Sequence, residues 1–426
     1  MSTPHVLVIG GGFGGLEVAK RLARADVRVT LVDRRNHHLF QPLLYQVATA
    51  ALAPGDIAEP IRRIVAGYRN VSVRLGDVGA IDLTAKTATL SDGTVLAWDK
   101  LILAAGARHS YFGHPDWAEF APGLKTVGDA LELRHRMLAA FERAEWATDA
   151  DERRRQLTFV VIGAGPTGVE MAGAIAEIAQ TTMLRDFRNI DTSKARVVLV
   201  EATEEVLPGY PDDLRRKARA QLAELGVEVR TGCRVTGIDA RGVSMGEERI
   251  PSAMLMWAAG VEAEPLTKTL GVPLDRNGRV QVLPDLSMPG HPDAFAIGDV
   301  ASFVQDGKIL PGVAQVAMQM GDRAAANVRA DLDGAARKPF AYWDLGKLAT
   351  VGRRRAVADL PGMHLAGFFA WFIWVTLHLW VIVAFRSRVV VFLKWAWLYL
   401  SHDRGSRLMW AAEGKRLDTT AAPAGP

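Results

Sequence analysis

The fold is decided by the opening stretch VLVIGGGFGGLEVAKRLARADVRVTLVD, Val6 to Asp33. Val6 to Ile9 is too uniformly aliphatic for a half-exposed strand and reads as a central strand of a parallel sheet. It runs into GGGFGG, which sets Gly10, Gly12 and Gly15 in G-x-G-x-x-G spacing, then into a helix, LEVAKRLARA, and a second strand, Val27 to Val32, ending on Asp33. Gly10 permits a tight turn, Gly12 lets the backbone approach a pyrophosphate, and Gly15 lets helix and strand pack closely. The helix N-terminus offers unpaired N–H groups and a positive dipole end to phosphate. Asp33 suits a ribose diol. A glycine-rich turn alone is weak; strand, helix, strand and terminal acid in order point to a dinucleotide site.

The same device recurs. Thr158 to Ile162 leads into GAGPTGVE, with Gly163, Gly165 and Gly168, a helix through MAGAIAEIAQ, an insertion TTMLRDFRNIDTSK, and the strand ARVVLVE ending on Glu201. Two cradles imply two dinucleotides, or a duplicated fold with one inactive copy. Glu201, Glu204 and Glu205 follow with no Arg or Lys until Arg215, so a 2′-phosphate is repelled and the site favours NADH. The first site then falls to FAD. FAIGD, with Gly298 and Asp299, is a third candidate, readable otherwise as a plain strand and turn. Ala105-Gly106 and Ala259-Gly260 end two further strands, where small residues either let a loop cross a nucleotide or simply reverse the chain.

Composition narrows the class. A chain of 426 residues, 49% hydrophobic and 23% charged, with 40 Gly and 20 Pro, is neither disordered, nor collagen-like, nor a polytopic transporter. Its one cysteine, Cys233 in the strand-like GVEVRTGCRV, excludes a disulfide framework, a redox pair and a thiolate metal cluster, and no metal is expected. A net charge of +4 does not argue for nucleic acid. That charge sits towards the C-terminus: between Arg386 and Arg416, the basic Arg386, Arg388, Lys394, Arg404, Arg407, Lys415 and Arg416 face only Asp403 and Glu413. No basic, apolar leader precedes the first strand, so a cytoplasmic location is expected.

Together these stretches resemble the two-dinucleotide-binding-domain flavoproteins, and more narrowly the type II NADH:quinone oxidoreductases, which do not pump protons. The narrower resemblance rests on NHHLFQPLLYQVATAAL (Asn36 to Leu52) and on AQVAMQ (Ala314 to Gln319), similar to the family's A-Q-x-A-x-Q quinone motif. It rests also on KLATVGRRRAVADL (Lys347 to Leu360) and on AWFIWVTLHLWVIVAFRSR through RGSRL. Met320 stands where an acid is frequent in the family. The resemblance runs from about Val6 to Leu408 and implies an α/β fold: an FAD domain (1–112 and 282–340), an inserted NADH domain (113–281) and a helical membrane-associated section (341–426). It assigns Gly10, Gly12, Phe13, Gly14, Gly15, Asp33, Arg34, Ala105, Gly106, Gly298, Asp299 and Ala317 to FAD. To NADH it assigns Gly163, Gly165, Gly168, Glu170, Glu201, Ala259 and Gly260. Asp299 would accept from the ribityl chain.

Three residues are candidates for the chemistry: Glu170, Gln315 and Gln319. The glutamines lie four apart, on one helical face with small Ala314 and Ala317, where an amide could reach a quinone carbonyl. The alternative is two solvated glutamines on an amphipathic helix. Glu170, two past Gly168, is expected in the first helical turn near nicotinamide and flavin, or there only to stabilise the helix. The implied partners are a respiratory quinone (ubiquinone or menaquinone), a membrane lipid surface at the cytoplasmic face of the cell membrane, and a second copy in a homodimer. Two rivals stay open: an NADH-dependent reductase of a protein redox carrier, and a membrane-tethered flavoprotein sensor.

Leu365 to Phe385 is 21 residues without formal charge, about 31 Å as a helix. Val389 to Leu400 is a second, shorter apolar segment. Five of the eleven tryptophans fall between Trp371 and Trp397, a residue enriched at membrane interfaces. The segments read first as a helical pair lying in one leaflet, otherwise as a single span or a buried dimer interface. His378 either serves a quinone or proton path or is simply packed.

Overall fold

The computed structural model describes residues 3–401 and 404–409; Asp403, Glu413, Lys415 and Arg416 of the basic tail lie outside the described residues. Contacts divide the chain into two units, Met1–Leu39 with Ala58–His109 and Val261–Asp344, and Phe40–Ile57 with Ser110–Gly260 and Leu345–Pro426. Residues 261–281, expected in the NADH domain, group with the first unit, while 40–57 and the C-terminal section group with the second.

In the first unit the wholly buried strand His5–Ile9 lies between Arg28–Asp33 and Lys100–Leu103 in a six-stranded sheet, flanked further by Val71–Leu75, His291–Ala296 and Ser287–Met288. Every pairing is parallel except the last. The register sets Ile9 beside Val32 and Leu103, and Leu103 beside Ala296. Four chain segments carrying Gly10, Asp33, Ala105 and Gly298 therefore leave the sheet at one edge, its carboxyl end, where open α/β sheets bind ligands. The first helix, Phe13–Leu22, starts earlier than its apolar periodicity indicated, because the glycines already adopt helical geometry. It packs along Ala314–Leu332 so closely that a Cβ on Gly321 would stand 2.6 Å from the Gly14 carbonyl oxygen.

The second unit repeats the plan with four parallel strands in the order Val227–Arg230, Arg196–Val200, Thr158–Ile162, Met254–Trp257. Its fingerprint helix, Pro166–Glu177, opens with proline and widens into a π turn over Ile178–Thr182, which absorbs the start of the insertion. Cys233 lies beyond its strand and is half-buried, its Sγ near the Thr231 carbonyl oxygen at 3.4 Å.

The C-terminal section begins as an antiparallel sheet, Lys347–Gly352, Arg355–Leu360 and Met363–Ala366, before the helices Phe368–Val381 and Phe385–Ser401. The uncharged run Leu365 to Phe385 is thus not one helix. Leu365 is paired in a strand, and the chain leaves helical geometry at Ile382, whose carbonyl accepts from Arg388 Nε at 2.7 Å. The 14-residue first helix reaches about 21 Å, against a bilayer core of about 30 Å. No helix among the described residues is long and apolar enough to cross a membrane.

Candidate functional site

The first cradle is built by what its glycines exclude. Gly10 has φ +103°, and a Cβ there would meet the Ala104 carbonyl oxygen at 2.2 Å; one on Gly15 would meet the Gly10 oxygen at 1.9 Å. Gly12 caps the helix with no side-chain bond, and a Cβ there would meet nothing within 4 Å. Tight packing below and open space above an uncapped N-terminus is the shape a pyrophosphate requires. Asp33 accepts from Gly11 N–H at 2.6 Å and Arg35 N–H at 2.7 Å, and each oxygen keeps a lone pair for a ribose hydroxyl. Arg34 is paired with Glu264 at 2.7 Å. His38, missed in the sequence, buttresses the loop: its Nδ1–H donates to Gly11 O at 3.0 Å, and its ring meets Phe13 edge-on at 5.1 Å. Burial lowers its pKa to about 4.

FAIGD and AQVAMQ converge. Gly298, φ +69°, brings its Cα to Ala317, where a Cβ would lie 3.1 Å from that of Ala317. The Gly298 N–H donates to Met320 Sδ at 3.3 Å, which gives this apolar residue a role in fixing the turn. A Cβ on Gly312 would approach Asp299 Oδ1 at 3.1 Å, so the loop crosses directly over that carboxylate. Gly106, φ +81°, leaves open space at the neighbouring strand end.

Gln315 is half-buried on the first turn of Ala314–Leu332. Gln319, one turn on, is engaged with the main chain: Nε2 donates to Trp343 O, and Oε1 accepts from Trp343 N–H, both at 2.9 Å. Gln305 does the same to Tyr342, at 3.1 and 2.7 Å, and Asn327 to Lys338, both at 3.0 Å. Three side-chain amides thus hold residues 338–343, a strap leading towards the C-terminal section. The Gln319 amide retains one N–H and one lone pair. Nothing in the spacing of the strap's own residues marks this arrangement.

The second cradle matches the first. Gly163 has φ +103°, a Cβ on Gly168 would lie 1.8 Å from Gly163 O, and the helix-capping Gly165 opens onto empty space. Glu201 accepts from Ala164 N–H at 2.7 Å and Thr203 N–H at 2.9 Å, the counterpart of Asp33. At the strand end on the opposite side, Gly260 has φ +92° and lies under the ring of Phe112.

Glu170 is the fifth residue of Pro166–Glu177 and so occupies the second turn, not the first, because the proline starts the helix early. It faces the C-terminal sheet. A Cβ on Gly173 would stand 1.7 Å from Val351 O, so only glycine lets helix and strand Lys347–Gly352 come this close. Glu170 lines a cavity of about 410 Å³ with Tyr45, Thr350, Trp371, Trp374, Trp395 and Arg404. Burial raises its pKa to about 8, against the opposing pull of the Thr350 N–H, so it is protonated at neutral pH. Trp395 Nε1 donates to Gln46 and Lys394 pairs with Asp56, both at 2.6 Å, tying the second C-terminal helix to the 40–57 segment. His378 stacks on Trp374 at 4.1 Å and bonds its carbonyl through Nδ1, and is packed.

Outward, the helix pair is apolar: Phe369 (69% exposed), Trp380 (76%), Trp397 (62%) and Leu400 (77%) face solvent. Arginines rim it, with Arg354 over Phe368, Arg388 over Trp380 and Arg353 over Tyr399.

Twin cradles of this kind define a class, and residues 4–321 match the family described as pyridine nucleotide-disulphide oxidoreductase. Residues 344–401 match the NDH2 C-terminal domain. The chain is 48% identical over 416 residues to the type II NADH:quinone oxidoreductase Ndh of Mycobacterium tuberculosis, covering 94% of this chain and 89% of that protein. It is 32% identical to the internal alternative NAD(P)H-ubiquinone oxidoreductase A1 of Arabidopsis thaliana mitochondria, covering 92% and 83%. It shares the fold of NDH2 from Plasmodium falciparum, solved with NADH, at a TM-score of 0.87 and 18% identity over 96% and 100% of the two chains. The chain belongs to the type II NADH:quinone oxidoreductases.

Proposed function

We propose that this enzyme transfers hydride from NADH to FAD and then two electrons to a respiratory quinone, without pumping protons. The observation that carries the reading is the pair of open, uncapped glycine turns, each backed by an acid anchored to its own loop. Gly10, Gly12, Phe13, Gly14, Gly15, Asp33 and Arg34 would hold the FAD diphosphate and ribose, with Ala105, Gly106, Gly298, Asp299 and Ala317 around its remainder. Gly163, Gly165, Gly168, Glu201, Ala259 and Gly260 would hold NADH, the glutamates at 201, 204 and 205 disfavouring a 2′-phosphate. FAD, when bound, supplies the redox chemistry that links a two-electron donor to a quinone.

The chain's own work is positioning and proton control. Gln315 and Gln319 present amide donors on one face beside small residues, suited to quinone carbonyls. Glu170 holds a proton at neutral pH inside an aromatic-walled cavity that suits a planar apolar ring. The arginine-rimmed apolar face supports docking on the lipid surface at the cytoplasmic side of the cell membrane; the assembly we propose is a homodimer.

An anaerobic absorption spectrum tests the scheme. The purified protein should show oxidised flavin, bleach with NADH, and recover on adding a soluble quinone analogue. A colourless protein, or bleaching that only a protein carrier reverses, would contradict it.

A further inference from the structure

Phe112 holds a backbone conformation that its side chain disfavours. Its φ is +50°, a left-handed geometry that is a genuine outlier for a bulky side chain and carries a cost in backbone strain. Packing does not repay that cost, since the residue is 67% exposed. Yet its position is specified from below. Tyr111 stacks on Trp257 at 5.1 Å, Trp257 Nε1 donates to Ser110 O at 2.9 Å, and Phe112 lies 6.1 Å from the same indole. The ring is laid over Gly260, where a Cβ would meet Phe112 Cζ at 2.5 Å, so any side chain there would displace it.

The place matters. Gly260 follows the carboxyl end of strand Met254–Trp257, which pairs with Thr158–Ile162 on the side away from the Glu201 strand. The cradle lies between, with a Cβ on Gly163 meeting Ala258 C and Ala259 N at 2.7 Å. A dinucleotide whose adenosine ribose meets Glu201 and whose pyrophosphate crosses Gly165 must carry its other half towards Ala259, Gly260 and the Phe112 ring.

We propose that Phe112 is the aromatic wall for the nicotinamide ring of NADH, held in a strained conformation over Gly260 for that purpose. The inference rests on NADH occupying the second cradle. A π-faced wall recognises the planar nicotinamide and is indifferent to the adenosine diphosphate half.

The test compares NADH with ADP-ribose, which carries every part of the ligand except nicotinamide. Phe112→Ala should raise the NADH dissociation constant, measured by anaerobic flavin reduction, about fivefold, and leave the ADP-ribose inhibition constant and the quinone KM unchanged. Phe112→Tyr should restore NADH affinity. Phe112→Gly, which relieves the left-handed strain, should raise thermal stability yet still weaken NADH. Equal weakening of both ligands, or no weakening of NADH, overturns the wall while leaving the cradle. A wild-type protein that binds neither ligand overturns the wall and the dinucleotide reading together.

Discussion

Glu170 shows how much an environment does that a letter cannot. Its raised pKa means the fold tolerates the acid and resists the carboxylate. It therefore contributes stability that is full below its ordinary value of 4.5 and is lost as pH rises through about 8. Glu170→Gln should flatten the alkaline fall in unfolding midpoint, and should remove any inflection near pH 8 in the quinone half-reaction; an unchanged profile in the variant would assign the titration elsewhere. Gln319 makes the complementary point. Gln319→Leu should raise quinone KM by about tenfold, from loss of the one amide N–H left free of Trp343, with NADH reduction of the flavin intact in stopped flow. The sequence reading reached both residues because of the motifs around them. It missed His38 and the partners of Gln319, because each depends on backbone brought from more than twenty residues away, and the helix turn of Glu170, because Pro166 starts the helix early.

At the scale of elements, close approaches decide what can be substituted. Gly321→Ala sets a methyl against a main-chain oxygen and should destabilise the first unit by about 2 kcal/mol and loosen flavin, read by denaturant titration and flavin release on dilution. The apolar C-terminal helices leave one face exposed, since the other packs on the 40–57 segment and the C-terminal sheet. Phe369→Glu with Trp380→Glu should abolish sedimentation with anionic vesicles while NADH still bleaches the flavin; continued sedimentation would place the lipid contact elsewhere. Apolar composition was enough to find this pair. The break at Ile382 was not legible, because no glycine or proline marks it and the corner is closed by Arg388 from the following helix.

For the whole molecule, both Rossmann-like sheets could be read from short buried runs and their terminal acids, since local pattern and long-range pairing agree there. The partition of the chain could not: segment 40–57 joins the second unit through Arg134, which donates to the carbonyls of Val47 and Leu52. Acid should act on the first unit through His38. Its folded pKa of about 4 lies below the ordinary 6.5, so the stability of the neutral ring is present above pH 6.5 and lost as pH falls towards 4, up to about 3 kcal/mol. Urea titrations at pH 7 and pH 5 on the wild type and His38→Asn should show the slope disappear in the variant. The strap at 338–343 belongs to another category. Each of its three glutamine and asparagine fasteners is electrically neutral, so neither screening by salt nor a change in proton concentration weakens it. Within the first unit this neutral fastening keeps its grip in brine or in acid.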